Sequence, residues 1–235
     1  MKNLQRAMNE EKLYVADRMN NINTSLPDRL KPYGYEQLDE YFKEKREYLF
    51  KQWKPKVYYV DVRTQTTELE NAVQNEQYGI YISTAESLYA FHGSDDIDYE
   101  LCEQLGVCVA ELYHIGGTII GSAEDLGIEI VAPREIGLDS NYILSKFLSI
   151  ISKYEDSAVI VGNDILVNGE KVLGSMRRDV GNAFVWAAQI SFGEYTEIIE
   201  KVCQKKSQKK AGRIKHGTLK RDLLEKEVLK WLQKH

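Results

Sequence analysis

The chain has 235 residues, 43% of them hydrophobic, and a formal net charge of −5, a composition that can bury a core and that excludes a disordered chain. No run approaches the roughly 20 apolar residues a membrane-spanning helix needs, and the opening MKNLQRAMNEEK is charged with no apolar stretch behind it; the expectation is a cytoplasmic protein with no membrane partner. Three cysteines, Cys102, Cys108 and Cys203, lack CxxC spacing, which argues against a disulfide framework or a zinc site and reads as reduced thiols.

Residues 1–53 are rich in charged and amide side chains, with apolar positions at Leu4, Met8, Val15 and Met19 and again at Leu38, Tyr41, Phe42 and Leu49. Those spacings predict two amphipathic helices, separated by the Pro27 to Gly34 stretch with its two prolines and a glycine. This segment carries no recognisable chemistry and is read as a helical N-terminal extension.

From residue 54 the texture changes to short runs rich in Val, Ile and Tyr. Strands are predicted at Val57 to Val62, Tyr78 to Ile82, Val107 to Tyr113, Thr118 to Ile120, Ile128 to Val131, Ala158 to Val161, Ile165 to Val167, Val172 to Ser175 and Ala183 to Phe192. Helices are predicted at Thr67 to Gln77, Asn141 to Tyr154 and Glu194 to Cys203. Many strands with a few interspersed helices point to an α+β domain built on a mixed sheet, spanning 54–203.

Residues 204–235 hold eleven Lys or Arg against three Asp or Glu, a net of +8 that leaves −13 for the rest. They read as a basic linker followed by a helix from Thr218 to Lys234, whose Leu224, Val228, Trp231 and Leu232 make an apolar stripe that should dock on the domain. A basic tail could serve as an adaptor for nucleic acid or an acidic protein. Lys205 to Lys220 contains no aromatic residue to stack on bases, and the body repels a polyanion, so no nucleic-acid partner is expected.

Two stretches could carry chemistry. In the first, Asp164 to Val167 and a strand returning from Lys171 flank Asn168-Gly169, a strong short signal for a hairpin. Simple alternation along the returning strand puts Lys171, Leu173 and Ser175 on one face. A lysine beside a hairpin turn is, on spacing alone, a solvated residue. In the second, His114-Ile115-Gly116-Gly117-Thr118 lies between two strand-like runs, and its small residues let backbone N–H groups approach an anion, although a turn needing positive φ would use the same residues.

In this order and at this separation, the two stretches resemble the biotin/lipoate protein ligase superfamily. Gly162-Asn163-Asp164-Ile165 fits that family's N-D block, Lys171-Val172-Leu173-Gly174-Ser175 fits its lysine block, and the stretch after His114 stands where the family has its glycine-rich loop. The loop differs from the family pattern: Tyr113-His114 replaces paired arginines, Thr118 replaces the third glycine, and Ser122 and Ile128 stand at about the family's histidine and asparagine.

The resemblance implies an acyl ligase or acyltransferase that attaches a lipoyl-type or biotinyl-type acid to a lysine of an acceptor protein domain through an acyl-adenylate. ATP and magnesium would be the cofactors and lipoate or biotin the small acid substrate, with no tightly bound metal. Lys171 would be the catalytic residue, a fixed ammonium stabilising negative charge on carboxylate and phosphate oxygens. His114, Gly116, Gly117, Thr118, Asn163, Asp164, Gly174 and Ser175 would line the substrate site, with Asp164 as a possible magnesium ligand. The altered loop leaves an alternative: a catalytically degenerate protein of the same fold that binds a small ligand or a protein partner.

Overall fold

The computed structural model describes residues 52–92, 97–111, 118–136, 138–203, 210–214 and 219–233. The two helices expected within 1–53 lie outside the described residues, as do His114, Gly116 and Gly117.

A seven-stranded mixed sheet runs in the order β1 (Lys56–Asp61), β2 (Gly79–Thr84), β6 (Leu126–Pro133), β10 (Ala183–Ile190), β9 (Glu170–Val180), β8 (Asp164–Val167), β7 (Val159–Val161). A smaller sheet has the order β4 (Cys108–Glu111), β3 (Tyr89–His92), β5 (Ile119–Gly121). Two pairs of strands are parallel, β1 with β2 and β3 with β4, and they are joined by α1 (Gln65–Gln74) and α2 (Tyr99–Gln104), as a parallel crossover requires. The other helices are α3 (Ser140–Ile151), α4 (Thr196–Val202) and α5 (Arg221–Gln233).

Alternation sorts the strand residues onto two faces. On one, Ile128, Ile130, Phe184, Trp186 and Ile190 pack against Ile143, Leu144 and Phe147 of α3, with the rings of Phe147 and Trp186 5.3 Å apart. Asp139 starts α3 by accepting the Asn141 N–H on its side chain at 3.1 Å. Leu224, Val228 and Leu232 of α5 are fully buried in this same core, so the apolar stripe of the basic tail docks on the sheet. On the opposite face, α1 covers Val60, Tyr81, Val131 and Val185 with Leu69 and Ala72.

The two sheets meet at Asp125. Its carboxylate accepts the N–H groups of Ser122 at 2.9 Å, Phe192 at 2.7 Å and Gly193 at 3.0 Å. Its carbonyl accepts from Arg221 Nε at 3.0 Å. Burial pushes the Asp125 carboxyl above its ordinary value, against the pull of those backbone donors. One residue thus ties the end of β5, the end of β10 and the start of α5 together.

Two differences from the sequence reading have local causes. Strand β3 was not predicted, because only four residues long it sits among Ser, Gly and Asp. Strand β9 runs to Val180, past the predicted end at Ser175, because its alternating Arg177, Arg178 and Asp179 are paired along their length with β10.

Candidate functional site around Lys171

The hairpin that carries Lys171 forms as the Asn-Gly signal requires. Asn168 and Gly169 have φ of 53° and 79°, the two positive values of a type I′ turn, and they join β8 directly to β9. The alternation expected beyond the turn does not hold. Asp164 pairs with Gly174, Ile165 with Leu173, and Leu166 with Lys171, which leaves Val172 as an extra residue in a bulge. Val172 and Leu173 both point into the main core. Lys171 therefore shares a face with Gly174 and not, as simple alternation implied, with Leu173 and Ser175.

That face is the one opposite α3 and α5. Here the Lys171 side chain lies across Gly174, where an added Cβ would stand 2.7 Å from Lys171 Cε and 2.8 Å from Nζ. The ammonium ends 3.1 Å from Asp164 Oδ1, in a pair whose side chains are 39% and 11% exposed. Two backbone features produce this arrangement: the bulge turns the lysine to the face of Asp164 and Gly174, and the glycine three residues later leaves room for its stem.

The site extends along one row of the sheet. Asp164 pairs with Gly174, Gly174 with Gln189, and Gln189 with Gly127, beyond which Ser83 Oγ fills the place a Gly127 side chain would take. Gln189 Nε2 donates to Tyr89 Oη at 2.9 Å, and that hydroxyl lies 3.1 Å from Gln189 Oε1; burial pushes the Tyr89 phenol up, so it stays a neutral donor and acceptor. Polar side chains alternate with glycines across this row, giving a floor with few protruding atoms. Ser83 Oγ is buried and has no hydrogen-bond partner among the described residues.

The other predicted site residues are distributed unevenly. The Asn163 carbonyl accepts both the Ser175 N–H at 3.0 Å and the Ser175 hydroxyl at 2.7 Å, a clasp around the Gly162-Asn163 turn that engages the hydroxyl away from Lys171. Thr118 is half-buried just ahead of β5. The described residues contain no group of three or more His, Cys, Asp or Glu side chains able to hold a metal ion, and the Asp164 carboxylate lies beside the Lys171 ammonium. A depression on the outer side of α5, bordered by Arg221, Glu225, Leu229 and Gln233, includes none of these residues. No described helix is long and apolar enough to cross a membrane.

Gln189 and Tyr89 were missed from sequence. Gln189 gave a signal, a single amide in the otherwise apolar run Ala183 to Ile190, since a buried polar residue needs a partner. Tyr89 gave none, because its strand was itself unrecognised.

No protein-family model matches the sequence, nor does any curated protein. Solved structures do match. LipL1 of P. falciparum in complex with lipoate superposes with a TM-score of 0.62 at 14% identity, over 75% of this chain and 60% of that one, so this chain spans less than two thirds of that protein's length. A bi-partite lipoate protein ligase from Thermoplasma acidophilum, studied with its E2 lipoyl domain, gives 0.60 at 12% identity over 75% of this chain and 81% of the other. Lipoate-protein ligase A bound with ATP gives 0.58 at 13% over 76% and 83%. Identities this low speak for architecture alone, and on that evidence the chain has the mixed α+β fold of the lipoate-protein ligases.

Proposed function

We propose that this chain is an acyl ligase or acyltransferase that attaches a lipoyl-type acid to a lysine of an acceptor protein domain, with Lys171 as its catalytic residue. The observation that carries this reading is the placement of Lys171 within the fold: a half-exposed ammonium laid over Gly174 and oriented by Asp164.

An acid carboxylate entering over Gly174 would take up the ammonium in place of, or beside, Asp164. As one carboxylate oxygen attacks the α-phosphorus of ATP and pyrophosphate leaves, negative charge grows on the oxygens that Lys171 faces, and a fixed cation there stabilises it. The acceptor amine then attacks the acyl carbonyl, AMP departs, and the amine loses a proton, for which Asp164 is the nearest carboxylate to Lys171 in this structure. The Tyr89–Gln189 pair supplies a neutral polar wall to the same row. His114, Gly116, Gly117 and Thr118 belong to the phosphate end of this reading by resemblance, and Asn163 and Ser175 to the shape of the turn beside Asp164. A lipoyl-type acid is preferred over a biotinyl-type one because the structures whose superposition carries weight are lipoate ligases.

The test is lipoate-dependent exchange of pyrophosphate into ATP, followed by transfer to a lipoyl domain. Lys171→Ala is expected to abolish both while lowering unfolding free energy by only about 1–2 kcal/mol, because water reaches the ammonium end of the pair although Asp164 is buried. Full activity in the variant, read beside its thermal melt, would sink the assignment. One observation favours the second reading, a non-catalytic ligand or protein binder: Tyr113-His114 stands where the family has its paired arginines. Lipoate binding by calorimetry, without any pyrophosphate exchange, would decide for it.

A further inference from the structure

The ladder of β10 with β9 runs to Ile190, opposite Leu173, one further bond joins the Ser191 N–H to the Val172 carbonyl at 2.9 Å, and the chain then turns out of the sheet. Glu170 and Lys171 are left without a neighbour from β10 on that side, and residues 210–214 take the position. Lys171 donates its N–H to the Lys210 carbonyl at 2.9 Å, and Gly212 donates to the Lys171 carbonyl at 2.9 Å, a parallel bridge of Lys171 with Ala211. Ile214 donates to the Ser191 carbonyl at 2.9 Å and is fully buried. Ion pairs hold both ends: Lys210 Nζ on Glu170, and Arg213 on Glu194 at 2.6 Å.

We propose that residues 210–214 are a strap that positions Lys171, and that Gly212 is the positioning residue that lets the strap close. The idea deepens the acyl-ligase reading and rests on it only for the importance of Lys171. The direction of the Lys171 side chain depends on the bulge at Val172, where the ladder to β8 is interrupted. A bulge next to an otherwise unpaired strand edge leaves the backbone of the preceding residue free to rotate. The strap removes that freedom by engaging both the N–H and the C=O of Lys171, so the stem stays over Gly174. Close approach is possible only without a side chain at position 212, since a Cβ there would overlap that of Glu170 and lie 3.3 Å from its backbone carbonyl carbon. The strap's own sequence, Lys-Ala-Gly-Arg-Ile, has no strand character of its own; the two bonds to Lys171 and the burial of Ile214 hold it in place.

The experiment uses the full chain and needs no turnover. Lysines are acetylated briefly with a small amine-reactive ester, and the modification of Lys171 is read by peptide mass spectrometry relative to the exposed Lys153 and Lys230. Gly212→Ala is expected to speed labelling of Lys171 roughly fivefold, the factor that losing one net hydrogen bond implies, with the reference lysines unchanged. Adding Glu170→Gly removes the overlapping Cβ and should bring labelling back to within about twofold of Glu170→Gly alone; a merely destabilised protein would not be rescued this way. A folded Gly212→Ala protein that labels like wild type, or a failure of rescue, overturns the proposal. If Gly212→Ala does not fold, amide exchange on the wild-type chain decides: the Lys171 and Gly212 amides should be protected together, and a Lys171 amide that exchanges like an open loop overturns it. A wild-type protein that forms no acyl-adenylate would remove the proposed reaction and leave the labelling result standing.

Discussion

A methyl group added at Gly174 would meet the last two atoms of the Lys171 side chain, at 2.7 and 2.8 Å. Those atoms are the far end of a flexible stem, so the lysine moves and the backbone does not. Gly174→Ala is therefore expected to change stability by less than about 1 kcal/mol while reducing acyl-adenylate formation about a hundredfold, the scale of loss that an ångström of misplacement produces. Melting curves beside pyrophosphate exchange would separate the two effects, and equal losses in both would argue that Gly174 is only a packing residue. At this scale the sequence was informative about identity and poor about surroundings. Lys171, Asp164 and Gly174 could all be singled out from one fifteen-residue stretch, and they do converge. Gln189 and Tyr89, 100 positions apart, could not be connected without knowing that β3 and β10 approach one another.

The elements show the same division between local and remote causes. The β8–β9 hairpin was legible because its turn is written in two adjacent residues with positive φ. Gly169 has open space around the position of a Cβ, so a substitution there tests the backbone alone. Gly169→Val should cost about 1–2 kcal/mol for holding a β-branched residue in the left-handed region, and Gly169→Asn clearly less, as denaturant titrations of the two proteins would show. Equal costs would mean that the turn relaxes to another type. The bulge at Val172 was not legible, since Val172-Leu173 reads as an ordinary apolar strand and the choice between the two registers is made by the partners across the ladder. The segment 210–214 looked like linker for a related reason: lysine and glycine are poor strand formers, and nothing nearby in sequence says that a sheet position is waiting for them.

Across the whole molecule, the described parts of the basic tail are packed into the core. Leu224 is fully buried beneath α5 in the core shared with Leu144 of α3, so Leu224→Ala should lower unfolding free energy by about 2–5 kcal/mol, as Leu144→Ala should. A thermal midpoint that does not move for Leu224→Ala would mean that α5 is a removable appendage. The mixed α+β architecture followed from the strand pattern, whereas the part the tail plays was obscured by its composition, a +8 segment in which the six apolar positions of one helix are outnumbered by lysines. Its separation along the chain from β1 bears on how the protein is made. Tyr59 Oη donates to Glu225 Oε1 at 2.8 Å, joining residues 166 positions apart, so a ribosome must synthesise the chain through residue 225 before β1 meets α5. Until then a nascent sheet presents Phe184, Trp186 and Ile190 without α5, and Lys171 stands on a strand edge that has yet to be closed. Such long-range closure is slow and exposes apolar surface to other chains, and the backbone of Lys171 is not held from the side of residues 210–214 until that segment has been made.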